Sequence, residues 1–408
     1  MIPGTGGARA RRCGRPWFAR HLPISRGTVR AMRLALAALL LATATTAAVA
    51  APTPHEFLDD ARALLVVGAC ADGAPPAGVK QEILDAHCKT VRATQEDYKK
   101  SWLHDATEFF TAHVPATIPK TVVYPFAGGD LSTALTVYPD ADEITTLSLE
   151  PAGDPHALGR LGDKELKTAL ATVEKELGSL YRSNFSVTMN MIGAMRSGAL
   201  PTNLIFSLSA LWIHGYEPTA MRYFKLTDAG EIVYLTDDDV AKMDADKDAS
   251  KRNRDYADVE IRFHKTGTKH EQVYRHIMAN LDDAHIKSSP GALAHLVAKG
   301  DVAGMTKAAS YLLTFDDFTQ MRKYVIDHVK WMVSDSTGLA PTYGTPAGFE
   351  YETYGEFGSS NMAAGKSIAP KWKALFAAQP KRELKFRFGY PDGKYHGHLI
   401  IMKRPDKT

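Results

Sequence analysis

The chain has 408 residues, of which 45% are hydrophobic and 23% charged, a composition typical of globular proteins. Its formal net charge is +3, but eight arginines and no acidic residue precede Ala51. From Ala51 onward the 49 Lys and Arg therefore fall to 41, against 46 Asp and Glu. Because acidic residues outnumber basic ones, the composition gives no support for nucleic-acid binding.

The N-terminal segment has the pattern of a secretory signal peptide. Residues 32–50 begin with Met32-Arg33, continue with an unbroken apolar run and end on the A-x-A cleavage site Ala48-Val49-Ala50. We expect translation to begin at Met32, with residues 1–31 an upstream non-native start or a disordered segment. The apolar run is too short for a transmembrane anchor. The sequence thus predicts an exported protein, periplasmic or secreted, with no stable membrane anchor after cleavage.

The region 51–120 is expected to be helical. Its two cysteines, Cys70 and Cys88, lack the C-x-x-C spacing of a redox pair. In an oxidising compartment they are expected to form one structural disulfide. Aromatic residues recur in the same region at helical spacing and are expected to pack against a sheet: Tyr98, Trp102, Phe109 and Phe110.

The strongest indication of a ligand site lies in residues 121–150. The β-branched run Thr121–Tyr124 predicts a strand, which leads into the turn Gly128-Gly129-Asp130 and a short helical pattern. A second strand, Ile144–Leu149, ends on Glu150. Strand, glycine turn, helix, strand and terminal carboxylate is the order of a Rossmann-like βαβ unit that presents a nucleotide-type ligand.

The residues of this turn have two interpretations. Gly128 and Gly129 let the backbone approach a ligand, and Glu150 is placed to accept hydrogen bonds from ribose hydroxyls. In the first interpretation, Asp130 lies beside any anion bound at the helix N-terminus. In the second, it is only the N-cap of that helix. Both interpretations are open at the level of sequence, because the complete G-x-G-x-x-G pattern is missing.

The remaining pattern predicts one α/β domain over residues 121–408. We expect a Rossmann-like, mainly parallel sheet flanked by helices, with a C-terminal antiparallel hairpin at its edge. The predicted elements in chain order are a helix to about Tyr181, a Met-rich stretch 184–197, a buried helix 200–214, a hairpin of 221–226 with 231–235, a polar insertion loop 237–258, a strand 259–263, alternating helix and turn from 271, a long amphipathic helix 315–333, and the terminal hairpin of 383–390 with 395–402.

Two of these segments carry a family resemblance. YPFAGGD, followed by LSLEPAG, resembles the first two strands of the class I S-adenosylmethionine-dependent methyltransferase fold. The resemblance implies that Gly128, Gly129 and Asp130 cradle the methionine moiety and that Glu150 holds the ribose. The chain is also similar to uncharacterised exported bacterial proteins that share YPF-x-G-x-D and LEP-x-G segments, a likeness that implies fold and export rather than a reaction.

Metal and hydrolase motifs are weaker. His396 and His398 share one face of a predicted strand, as metal ligands can, although exposed strand histidines are common without a metal. Asp244, Asp246 and Asp248 resemble the start of a calcium loop, but the sequence lacks the glycine and the final Glu of that motif, which favours a solvated acidic loop. No G-x-S-x-G or H-E-x-x-H motif is present in the sequence.

The expected function is the binding of a small polar ligand at the carboxyl ends of the strands. Two alternatives remain: a periplasmic transferase or hydrolase that uses Asp130 or Glu150 as acid or base, and a non-catalytic interaction protein of the envelope. Export weighs against methyl transfer, because S-adenosylmethionine is a cytoplasmic cofactor. The sequence identifies no cofactor.

Overall fold

A mixed ten-stranded sheet forms the centre of the computed structural model, which describes residues 52–184, 200–358, 365–389 and 397–405. The strands within these ranges are β1 Thr121–Pro125, β2 Glu143–Ser148, β3 Tyr216–Leu226, β4 Ile232–Tyr234, β5 Asp258–Lys265, β6 Glu271–Met278, β7 Val302–Thr306, β8 Val329–Ser334, β9 Glu350–Gly355 and β10 His398–Lys403. Their order across the sheet is β4-β3-β5-β6-β2-β1-β7-β8-β10-β9.

The five central strands, β6-β2-β1-β7-β8, are parallel to one another. They are rich in β-branched and apolar residues, and every residue of β7 is buried, as expected for parallel strands covered on both faces. Successive residues of β1 alternate between the faces: Val122 and Tyr124 pack in one apolar cluster and Val123 in the other.

Antiparallel strands extend this parallel centre on both sides. On one side β5 pairs with β6, and β3 pairs with both β5 and β4. On the other side β10 lies between β8 and β9 and is antiparallel to both. The prediction of an α/β sheet flanked by helices is confirmed, but the sheet is mixed, and only its centre is parallel.

The predicted C-terminal hairpin is only partly correct. Its second arm forms β10, but residues 383–389 form no strand, and the predicted turn 391–393 lies outside the described residues. Met402 of β10 pairs instead with Met332 of β8 and Tyr351 of β9. The last strand therefore finds its partners far back in the chain, which local alternation does not reveal.

Helices cover both faces of the sheet. The described helices are α1 Leu58–Gly68, α2 Gln81–Tyr98, α3 His104–His113, α4 Leu131–Val137, α5 Asp163–Ser183, α6 Thr202–Ile213, α7 Asp237–Asp244, α8 Ala249–Asp255, α9 Asp283–Ser288, α10 Gly291–Ala298, α11 Thr319–His328, α12 Pro341–Gly344 and α13 Gly365–Ala378, with a π-helical segment at Lys99–Leu103 and 3-10 turns at Pro155–Arg160, Ala308–Thr314 and Asp316–Phe318. Within the described residues, no helix is both long enough and apolar enough to cross a membrane.

The N-terminal helices are joined by the two cysteines. The sulfurs of Cys70 and Cys88 lie 2.07 Å apart, at disulfide distance. The aromatic residues expected to pack inward do so: Tyr98, Trp102 and Phe110 are buried, and Tyr98 stacks on Trp102. Helices α1 to α3 therefore share their apolar core with the sheet.

Three other sequence predictions need correction. The polar insertion 237–258 is not a loop, because Thr236 and Asp248 cap the helices α7 and α8 within it. The expected long helix 315–333 ends at His328, and its last residues form β8. The region from 271 begins with β6 rather than a helix. The predicted helix 200–214 and the hairpin of β3 with β4 are confirmed.

Loss of the disulfide should lower stability measurably. Replacing Cys70 and Cys88 together by Ala should reduce the free energy of unfolding by roughly 3 kcal/mol, because a loop of this size no longer restricts the unfolded chain. Urea denaturation measures the change. The unsubstituted protein in reducing agent should show the same loss, and an unchanged denaturation midpoint in both samples would contradict the prediction.

Candidate functional site

The predicted ligand turn lies at the point where the connections of the parallel strands change direction. After β1 the chain continues on one side of it, through β2 and β6, and then returns to form β7 and β8 on the other side. In open α/β sheets ligands bind in the crevice outside the strand ends at such a point. Here that position lies between the carboxyl ends of β1 and β7, and it is called the crevice below. The turn that follows β1 has positive φ angles at Phe126 (60°) and Gly128 (56°).

Asp130 is buried in this crevice and fully engaged. Its side chain is the N-cap of α4, accepting hydrogen bonds from the backbone N–H of Thr133 at 3.3 Å and from the Thr133 hydroxyl at 2.7 Å. The Tyr124 hydroxyl donates to the other carboxylate oxygen at 3.1 Å. Burial, and then the charge of Asp130, raise the pKa of Tyr124 well above its usual value, so this phenol stays a donor. The N-cap interpretation of Asp130 is thus confirmed.

The charge of Asp130 is balanced by Lys307, a residue that sequence reasoning missed. Lys307 follows β7 directly, is 2% exposed, and places its Nζ 2.5 Å from Asp130 Oδ2. The same ammonium donates to the Thr133 hydroxyl at 3.0 Å and to Asn184 Oδ1 at 3.3 Å. Its other neighbour is the ring of Phe388, 5.6 Å from Nζ. All three N–H donors of a buried cation thus have a partner.

A second buried carboxylate fixes the loop that carries Lys307. Asp335, at the end of β8, accepts hydrogen bonds from the backbone N–H of Ala308 at 3.1 Å and of Thr337 at 2.9 Å. Ala308 has a φ of 55°, which is unfavourable for a residue with a Cβ. Gly389 lies so close that an added Cβ would stand 2.1 Å from Asp335 Oδ2. Asp335 therefore holds the backbone beside Lys307 in a single position.

Helix α6 covers the glycine turn. A Cβ added at Gly129 would lie 2.5 Å from Phe206 Cδ2 and 3.2 Å from Asn203 Oδ1, both residues of α6. Gly129 is thus needed for close packing of this helix. The space in which a ligand would contact the turn is closed by Phe206 in this structure.

Glu150 lies two residues beyond β2 and is fully buried. Its backbone carbonyl oxygen accepts a hydrogen bond from His276 Nε2 at 2.7 Å. Asn203 Nδ2 lies 3.0 Å from the same ring nitrogen. Burial lowers the pKa of His276 to about 4, so the ring is neutral near pH 7. His276 and Asn203, two further residues that the sequence did not indicate, therefore lie beside Glu150.

The weak metal candidates do not form a metal site among the described residues. His396 lies outside them, and His398 is buried rather than exposed; its Nε2 accepts a hydrogen bond from the Ser336 backbone at 3.0 Å. In the calcium-like segment, Asp246 pairs with Lys251 at 2.6 Å, and Asp248 caps α8. These carboxylates already have cationic or backbone partners.

A different cluster brings together Asp154, His156 and Asp244, whose possible ligand atoms lie within 4.8 Å of one another. Arg160 pairs with both aspartates, and Arg252 pairs with Asp154 at 3.0 Å. Both carboxylates are therefore already neutralised by guanidinium groups. The cluster is therefore an ion-pair network that joins the 3-10 turn 155–160 to α7 and α8.

The signal that would have located Lys307 is the short run Val302–Met305 without a charged residue, which forms most of β7. Residues 302–306 follow a Gly-Asp turn and precede the lysine, as expected of a buried strand that ends in a polar residue. Asn203 and His276 give no comparable signal, because their roles depend on contacts between distant elements. No family model matches the chain, and neither does any curated protein or solved structure.

The buried ion pair should be strongly coupled. Lys307→Met leaves Asp130 buried without its cation and should cost about 3–5 kcal/mol in the free energy of unfolding. Asp130→Asn combined with Lys307→Met should cost less than the sum of the two single changes, because no charge then remains unbalanced. A double-mutant cycle by urea denaturation measures this coupling.

The exposed pair Lys323–Asp327 provides the control for that cycle. Its Lys323 Nζ and Asp327 Oδ2 atoms lie 2.5 Å apart. Lys323→Met should change stability by about 1 kcal/mol or less, as is usual for surface pairs. Strictly additive losses at Asp130 and Lys307 would contradict the interpretation of a coupled buried pair.

The His156 cluster should make stability depend on pH. The carboxylates of Asp60 and Asp244 raise the pKa of His156 to about 9, against the effect of its burial. Because the folded pKa exceeds the unfolded one, the stabilisation is complete below about pH 6.5 and is lost as the pH rises through about 9. For this partly exposed ring we expect a loss on the order of 1–2 kcal/mol between these limits.

Unfolding free energies at pH 6.5 and 9.5 test this expectation, with His156→Gln as the variant that should lose the dependence. His270→Gln is the matched control, since His270 faces Asp142 at 3.3 Å on the exposed surface. An identical pH dependence in His156→Gln and the unsubstituted protein would refute the assignment.

Proposed function

We propose that the protein is exported and binds a small polar ligand in the crevice between β1 and β7, on a Rossmann-like scaffold. When the five parallel strands are numbered 1 to 5 along the chain, they lie across the sheet in the order 3-2-1-4-5. This is the strand order of the doubly wound dinucleotide-binding folds. This order supports the resemblance of YPFAGGD and LSLEPAG to methyltransferases of class I. The cysteine pair at disulfide distance and the leader-like residues 32–50 support export.

One observation carries the ligand proposal: the two loops that flank the crevice place a buried carboxylate and a buried ammonium against each other. Asp130 and Lys307 are 3% and 2% exposed. A buried ion pair adds little net stability compared with apolar residues of the same size, so its place at the ligand crevice favours a binding role. An amino-acid-like ligand would replace the contact between the two side chains, its ammonium meeting Asp130 and its carboxylate meeting Lys307.

Binding at this turn requires α6 to move. Phe206 occupies the space next to Gly129, and Asn203 joins α6 to His276. The ligand-bound state therefore differs from this structure at α6, and the two loops after β1 and β7 supply the polar contacts. Glu150 and its neighbour His276 line the same region from the β2 side.

The covering of Gly129 by Phe206 also favours a second candidate, a non-catalytic interaction protein of the envelope in which the glycine turn serves packing alone. The enzyme alternative would require Asp130 or Glu150 to reach a substrate as acid or base. Both residues are buried, and Asp130 already accepts bonds from Tyr124, Thr133 and Lys307.

Calorimetric titration with S-adenosylhomocysteine, which carries both an amino-acid and a nucleoside moiety, tests the proposal. We expect saturable binding that weakens about tenfold or more in Asp130→Asn, because the carboxylate then no longer pairs with the ligand ammonium. Asp282→Asn is the matched control, since Asp282 also caps a helix, α9, and should leave the affinity unchanged.

The absence of heat with S-adenosylhomocysteine, together with no change in unfolding temperature, would remove this ligand class and favour the interaction protein. Equal affinity in Asp130→Asn and Asp282→Asn would place any binding elsewhere. Both variants should first be shown to unfold cooperatively, so that loss of binding is not loss of folding.

A further inference from the structure

A second cavity lies at the opposite, amino-terminal end of β1. It has a volume of about 410 Å³ and is lined by the end of α3, residues 114–116 and 118–120, the last turn of α4 and the loop 138–141. This volume falls within the range of small-molecule sites. None of its lining residues belongs to the crevice between β1 and β7.

The walls of this cavity are mainly apolar. Val114, Ile118 and Pro119 line it and are only partly buried, so they offer an accessible apolar surface. A ligand here would bury an apolar body of modest size.

His214, a partly buried polar side chain in the lining, is held by a hydrogen-bond chain. His214 Nε2 lies 3.1 Å from the Ser132 hydroxyl, which in turn lies 3.1 Å from the Tyr98 hydroxyl. Burial lowers the pKa of His214 to about 4, and the positive charge of Lys265 contributes in the same direction. The imidazole is therefore neutral and fixed in orientation, with a cation close to it.

The charges at the cavity are predominantly positive. Lys120 and Lys265 both line it and are exposed, and neither has a carboxylate within ion-pair distance among the described residues. Asp140 is the acidic residue in the lining. Two lysines against one aspartate, around an apolar interior, are complementary to an amphipathic anion.

We propose that this cavity binds a small amphipathic carboxylate, with its apolar body against Val114, Ile118 and Pro119 and its carboxylate at Lys265 and His214. Lys265 supplies the charge and His214 a fixed polar group at the boundary of the apolar region. An alkylammonium with the same apolar chain should bind more weakly than the carboxylate, because it would place a second cation beside Lys265. The proposal is independent of ligand binding at Asp130 and Lys307.

Titration of the purified protein with octanoate, octanol and octylammonium, each below its micellar concentration, tests the proposal. These probes share one apolar chain and differ in charge. We expect octanoate to bind most tightly and octylammonium most weakly. Lys265→Gln should weaken octanoate about three- to fivefold, as is usual for an exposed ion pair, and leave octanol unchanged. Lys269→Gln, an exposed lysine of the same turn outside the cavity lining, is the matched control.

A second pair of variants locates the site. Thr111 is exposed and lines the cavity, so Thr111→Trp should block entry of both octanoate and octanol without disturbing the core. Thr117→Trp, at an exposed position outside the lining, should bind like the unsubstituted protein. Lys307→Met should not alter octanoate binding, which separates this cavity from the crevice.

Three results would overturn the proposal: no octanoate binding, equal binding of octylammonium and octanoate, or unchanged binding in Thr111→Trp. The first removes the site, the second removes the role of Lys265, and the third places the bound octanoate elsewhere on the protein.

Discussion

The buried contact between Asp130 and Lys307 is the constraint on which the centre of this protein depends. It joins the loop after β1 to the loop after β7, and therefore the two halves of the parallel sheet at their carboxyl ends. Neither charge can be left alone in the interior without a cost of several kcal/mol. The neighbouring contacts follow from this requirement: Thr133 and Tyr124 complete the shell of the carboxylate, Asn184 completes that of the ammonium, and Asp335 positions the backbone next to it.

Helix α4 connects this ion pair to the cavity at the other end of β1. All seven of its residues are buried, and Asp130 caps its first turn. Ser132 in that turn contacts Tyr98 and His214, while Leu135 in the last turn forms part of the cavity wall. A short helix buried on every side has little room to shift without disturbing its neighbours. The crevice and the cavity therefore lie at the two ends of one buried helix.

The sequence was informative where structure depends on neighbours in the chain. Strands β1 and β2, the glycine turn between them and the cap at Asp130 all follow from local pattern, as do the hairpin of β3 with β4 and the cysteine pair. The sequence was uninformative where the structure depends on pairing between strands that are far apart in the chain. The strand β8 follows α11 with no Gly or Pro between them, so periodicity alone extends the helix. In the sequence Lys307 resembles an ordinary surface lysine. Its contact with Asp130 depends on the pairing of β7 with β1.

The position of Phe206 determines how a ligand could use the crevice. Its ring is 1% exposed and lies against Gly129, and burying a phenylalanine contributes about 2 kcal/mol. If opening the turn exposes this ring, the open state is populated about thirtyfold less than the closed one, and the apparent affinity falls by the same factor. Under the proposed function, a ligand would have to compensate for this loss by covering the glycine turn and engaging both charges of the Asp130–Lys307 pair. A ligand that engaged one charge alone would leave the other buried and unbalanced, and would therefore bind more weakly.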